Sequence, residues 1–181
     1  GIGGPQMRQA QLIERMGDGY VHDVVAMDGE FAMAERIDAR FLGELLPPPG
    51  GRSFAASTRA FCRLLKQRDP DLLLTYNWGS IEACAAARVV DLRRHVHHEE
   101  GFRPDEQERR MLRRNWMRRL FLARAHAVVV VSSGLLDIAR FEWKVELERL
   151  RFLPNGVDLA RFRPASSPLP FPPVVIGAVG G

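Results

Sequence analysis

Cysteine is scarce. The 181 residues hold only Cys62 and Cys84, far apart and outside any C-x-x-C spacing. A disulfide framework is thereby excluded as the organising device, and a reduced, cytoplasmic setting is expected. Each cysteine falls in a stretch of helical pattern, so both are expected to be buried small apolar residues. Long apolar runs are missing as well. The longest uninterrupted one near the middle, Ala127 to Val131, is far too short to span a bilayer. The opening residues, "GIGGPQMRQ", lack the basic stretch and apolar core of a signal peptide. No Ser-His-Asp spacing, G-x-S-x-G or P-loop occurs, which removes the familiar signatures of serine hydrolases and P-loop nucleotidases.

What is present is the balance of a globular protein, 46% hydrophobic and 27% charged, in a length that suits one domain or one domain plus part of another. The net charge is only +4, yet Arg103, Arg109, Arg110, Arg113, Arg114, Arg118, Arg119 and Arg124 crowd one segment. Such a patch suits a phosphate-bearing partner, nucleic acid or an anionic membrane face. No RNP, zinc-finger or helix-turn-helix pattern accompanies it, so nucleic acid is not an expected partner. Asp105, Glu106 and Glu108 balance part of the charge.

Short apolar runs alternate with helical patterns along the chain, the signature of an α/β domain built on a parallel sheet. Pro5 opens a helix with Met7, Ala10, Ile13 and Met16 on one side, and "GDG" at 17–19 stops it. "YVHDVVAM" (20–27) reads as a strand, 31–46 is ambiguous, and "PPPGG" (47–51) is a loop. A helix with Phe54, Phe61, Leu64 and Leu65 precedes the strand "LLLTY" (72–76), and a helix with Ile81, Cys84 and Ala85 follows it. A short strand over His95 to His98 leads into a long helix, 105–124, with Leu112, Trp116 and Leu120 expected inward and the arginines outward. "HAVVVV" (126–131) is the clearest central strand, followed by a helix over 134–141 and a strand over 149–153.

Six of the twelve prolines lie between Pro154 and Pro173, a composition that suits a semi-rigid linker. "VVIGAVGG" beyond it resembles a strand running into a glycine turn, and one strand does not fold alone. The expected organisation is a domain over 1–153, a linker over 154–173, and the first strand of a second domain over 174–181. Both ends are expected to be cut.

Three constellations could carry chemistry. "GIGGP" leads into a helix whose free N–H groups offer a seat for phosphate, although it falls short of G-x-G-x-x-G. "HVHHEEGF" (95–102) places three histidines and two acids at a strand end, with His95 and His97 on one face and His98 on the other. A zinc site needs three or four ligands and no further Cys/His cluster lies nearby in sequence, so no metal is expected. "TYNWGSIEA" (75–83) puts Asn77 and Trp78 at a neighbouring strand end, residue types suited to sugar recognition.

"RLRFLPNGVDLARFRP" resembles the stretch before the interdomain linker of GT-B-fold glycosyltransferases, especially the retaining family 4 enzymes. Asn155, Gly156, Val157, Asp158, Phe162 and Pro164 match that pattern in order and spacing. "AHAVVVVSSGLLDIA", with Ser132, resembles the strand-serine-helix block before it, and "GGPQMRQAQLIERM" resembles the family's glycine-rich first loop and helix. The resemblance implies a Rossmann-like parallel sheet flanked by helices, the N-terminal half of a GT-B fold. It implies transfer of a sugar from a nucleotide diphosphate sugar to an acceptor hydroxyl with retention, and no cofactor. His97 would be the active-site histidine, with His98 in reserve. Gly3, Gly4, Asn77, His98 and Glu99 would contact substrate, and Asp158 and Phe162 would anchor the departing chain. Spaced glutamates and an Arg/Lys pair in a second domain would complete the site, so these residues alone are expected to be inactive. The acceptor would be a carbohydrate or lipid-linked molecule, with weak contact to an anionic membrane face. Two alternatives stand beside this: a GT-B-like sugar-nucleotide epimerase or phosphorylase, and a basic non-enzymatic binding module.

Overall fold

A computed structural model describes residues 3–102, 106, 111–157, 159–160 and 162–163. Helix α1 (Gly4–Met16) carries Pro5 in its first turn, where the missing N–H is harmless, and buries Ala10 and Ile13. Its stop is Gly17, at φ 62°, a left-handed conformation that glycine adopts without a Cβ penalty. Strand β1 (His22–Val25) follows and pairs in parallel with β2 (Leu42–Leu46), which emerges from the ambiguous segment after two 3₁₀ turns. Helix α2 (Phe54–Arg68) is capped by the Ser53 hydroxyl, which accepts from Ala56 N at 3.3 Å.

The main sheet has the order β3-β4-β5-β6, all parallel: Leu73–Tyr76, His95–Glu99, Ala127–Val130 and Leu150–Phe152. Helices α3 (Ile81–Val89), α4 (Leu112–Leu122) and α5 (Ser133–Phe141) connect its successive strands. Parallel strands need such crossovers, and the helices cover what would otherwise be bare apolar sheet. All four residues of β5 are buried, as the β-branched run predicts for an inner strand. Ser132 caps α5 by accepting from Leu135 N at 3.2 Å, which is the local reason for a serine at the end of that strand.

One helix differs from its expected orientation. Leu112 and Trp116 of α4 are 86% and 64% exposed, whereas Arg118 is buried among the core side chains. The 3.6-residue period does bring Leu112 and Trp116 to one face. That face is the outer one, because Met117, Leu122 and the Arg118 guanidinium occupy the inner one. Residues 105 and 107–110 of the expected helix lie outside the described residues. So do Arg103, Asp158, Pro164 and the expected strand over 174–181. Within the expected linker, Pro154 to Val157 are exposed and Phe162 is 59% exposed.

Candidate functional site

Strand β4 sorts its side chains by the two-residue period of a pleated sheet. His95, His97 and Glu99 are buried on one face; Val96 and His98 are half-buried on the other. On the inner face, Thr75 Oγ1 lies 2.8 Å from His95 Nε2 and 2.9 Å from His97 Nδ1. Cys84 Sγ, from α3, lies 3.4 Å from the same hydroxyl and 3.5 Å from His97 Nδ1. Burial pushes the Cys84 thiol up, but the two imidazoles outweigh it and bring it down to about 5. Burial pulls His97 down, and Cys84 and Glu99 together raise it to about 9. Cys84 is thus buried as expected but belongs to a polar cluster rather than an apolar one.

Glu99 is fully buried and accepts from Arg118 Nε at 3.1 Å. The other two nitrogens of that guanidinium donate to Glu106 at 3.0 and 3.2 Å. Trp78, Phe102 and Trp143 surround the cation, with ring centroids 5.1, 5.3 and 5.0 Å from its central carbon. His97, at 1% exposure, therefore faces the sheet–helix core and not an open crevice. The reason is strand phase: the residue aligned with Thr75 in the register points toward α3. Trp78 packs on Arg118 and Arg114, a structural position.

The outer face carries a second group at the carboxyl ends of β3 and β4. His98 stacks on Tyr76 at 4.9 Å between ring centroids. Asn77, at φ 54°, donates its N–H to His98 O and accepts from Glu100 N through Oδ1, both at 2.8 Å. Asn77 is thereby a brace that ties the two strand ends together. Arg8 reaches in from α1, 3.4 Å from Glu100 Oε1, and also donates to the Asn155 side chain. The Asn155 stretch quoted above for its resemblance is thus fastened to the first helix.

The electrostatics of this group are set by partial burial beside a cation. Burial, then the positive His97 and Arg8, bring His98 down to about 4, so its imidazole is neutral at physiological pH. Burial and the nearby Glu100 carboxylate raise Tyr76 to about 12, and burial also raises Glu100. The N-terminus of α1 has no side-chain cap and no acid in its first turn. A Cβ added at Gly4 would meet nothing within 4 Å, and one at Gly3 would crowd the movable end of Gln6 and touch Pro5 at 3.8 Å. Neither glycine is demanded by local crowding, and the first-turn N–H groups of a helix, which have no intrahelical partner, favour an anion.

A neutral imidazole and an arginine beside parallel strand ends form a setting for a ligand with phosphate and hydroxyl groups. The family model described as Glycosyltransferase Family 4 matches residues 2–161. The chain belongs to that family. No curated protein matches it. A family 4 glycosyltransferase domain works between a sugar donor and an acceptor in general terms, and the parallel sheet flanked by helices is the expected GT-B N-terminal architecture. Among the described residues no helix is long and apolar enough to cross a membrane.

Of the residues singled out from sequence, the structure gathers Asn77 and His98 with Arg8, Tyr76 and Glu100, and buries His97 and Glu99 behind them. Arg8 carries one legible signal: it lies one helical turn from Gly4. Tyr76 and Glu100 adjoin residues already chosen, but which strand face they occupy is decided by the packing.

Proposed function

We propose that this domain forms the acceptor-side wall of a retaining glycosyltransferase, acting on a nucleotide diphosphate sugar and an acceptor hydroxyl. The observation that carries the assignment of roles is the neutral, half-buried His98 beside Arg8 at the strand ends. His98, rather than His97, is the histidine that meets the donor sugar, because His97 has no open face. A neutral imidazole donates from one nitrogen and accepts at the other, which suits a sugar hydroxyl. Arg8 and the uncapped first turn of α1 at Gly3 and Gly4 serve the negative charge that builds on the departing diphosphate; aimed donors of this kind supply much of the rate in such reactions. Glu99 acts through Arg118 as a positioning residue for the strand end. Turnover also requires the glutamates and basic pair that the family resemblance assigns to a second domain, so residues 1–181 alone are expected to give no appreciable transfer.

The exposed face of α4 supports a peripheral contact with an anionic membrane. Leu112 and Trp116 are bare, and Arg113 and Arg119 beside them are exposed. Tryptophan, leucine and arginine on one helix face are the residue types of a membrane interface.

The decisive experiment compares His98→Ala with His97→Ala in the full-length enzyme. His98→Ala is expected to lower kcat by roughly 10²–10³, the usual loss of one donor that acts in the transition state. His97→Ala is expected to lower thermal stability first. Full turnover in a folded His98→Ala variant would refute the assignment.

A further inference from the structure

Cys84, His95 and His97 lie on the opposite face of β4 from His98, and their ligand atoms are all within 4.8 Å of one another. Their exposures are 0%, 2% and 1%. We propose that Cys84 Sγ, His95 Nε2 and His97 Nδ1, with the Thr75 hydroxyl as fourth donor, bind a borderline-soft divalent cation of the zinc class as a structural site.

Four observations carry this. The first is donor chemistry: one thiolate and two imidazoles select zinc-class metals over magnesium or calcium. The second is spacing. Metal–sulfur and metal–nitrogen bonds of about 2.3 and 2.0–2.1 Å at a tetrahedral angle place the two donors roughly 3.5 Å apart. Cys84 Sγ and His97 Nδ1 are 3.5 Å apart already. Thr75 Oγ1 sits 2.8 and 2.9 Å from the two imidazoles, so it must withdraw by a few tenths of an ångström, within reach of small side-chain adjustments.

The third is the surroundings of His97. Its Nε2 has no hydrogen-bond partner and lies 3.7 Å from Glu99 Oε2. Glu99 is in turn held by Arg118. A carboxylate behind the far nitrogen of an imidazole fixes the proton there and leaves the near nitrogen free to ligate. The fourth is rigidity. His95 and His97 share a face of a strand hydrogen-bonded on both sides, and buried alanines at 83 and 85–87 let α3 approach closely enough for Cys84 to reach them. Sequence spacing near the histidines offered no third ligand, because Cys84 comes from the preceding helix. The competing arrangement is a metal-free hub, in which the Thr75 hydroxyl uses its one donor and two acceptor positions on the same three partners. In that hub the thiol keeps its proton or passes it to His97; with a metal it is a ligating thiolate.

The test is reconstitution of the purified chain with Zn²⁺ and with Co²⁺, reading bound metal by atomic emission and cobalt by absorption. The expected result is about one equivalent of metal, tetrahedral d–d bands and a near-ultraviolet thiolate-to-cobalt band. Cys62→Ser should keep that band and Cys84→Ser should abolish it. Should Cys84→Ser not fold, the Cys62→Ser variant decides alone, since Cys84 is then the only thiol. Uptake below about 0.1 equivalent by folded wild-type chain would overturn the proposal, and so would a thiolate band lost in Cys62→Ser or kept in Cys84→Ser.

Discussion

Replacing Arg118 by methionine should be the most damaging single substitution on α4. The methionine keeps most of the packing volume between Trp78, Phe102 and Trp143 but removes the cation. Glu99 and Glu106, 0% and 1% exposed, would then face each other without it. Breaking a buried ion pair from one side costs about 3–5 kcal/mol, chiefly because the remaining charge stays buried. Arg114, 2.9 Å from Glu106, still serves that carboxylate, so the lower half of the range, about 3–4 kcal/mol, is expected at pH 7. For a domain of this size that is roughly a 6–16 °C fall in Tm. The pH dependence follows from the signs. In the wild type, burial alone would raise Glu106, but its bonds to Arg118 and Arg114 hold it below the usual carboxylate range. Its contribution is present above the unfolded pKa and is lost as pH falls through the folded one. In Arg118→Met, Glu106 keeps only its Arg114 partner, so the wild type has more of that contribution to lose and the variant's deficit shrinks as pH falls below the ordinary carboxylate range. Urea unfolding of both proteins between about pH 3 and 8 measures this, with exposed Arg119→Met as the reference at under about 0.5 kcal/mol. A cost for Arg118→Met no larger than that reference, or a deficit that grows on acidification, would refute the reasoning.

Acid sensitivity provides a second check. With the folded His98 near 4 and its ordinary value at 6.5, the unfolded chain takes up the proton first, so stability drops as pH falls through that window. His98→Gln should remove about 2 kcal/mol of that loss, discounted for partial exposure, and identical pH profiles for the two proteins would discard the assignment. On the surface, the chain should sediment with anionic but not neutral vesicles at low salt and be released at high salt. Trp116→Ser combined with Leu112→Ser should weaken that binding severalfold; equal binding to both lipids, or none at low salt, would leave α4 as a solvated face.

The order of elements was legible from residue pattern because it rests on local chemistry. Pro5 and Gly17 bound α1, serines cap α2 and α5, and the β-branched run at 127–130 suits an inner strand and occupies one. Strand β2 was not legible: "LGELL" is exposed at three of its five positions and shows neither clean alternation nor a buried run. Family membership was also within reach of sequence, since the glycine-rich first loop and the Asn155–Gly156 stretch are short motifs read by order and spacing. The structure adds that these two ends of the domain meet, through Arg8 and Asn155.

Phase and partnership were decided by tertiary packing. A two-residue period separates His97 from His98 but does not say which face meets a helix; α3, α4 and the Arg118 cage settle that by burying His97 and Glu99. A helical period likewise groups Leu112 with Trp116 without saying that their stripe faces outward. An arginine turns inward here because two carboxylates and three aromatic rings, from segments distant in sequence, replace its water. Such compensation is a sum over non-local neighbours, which no window of sequence contains.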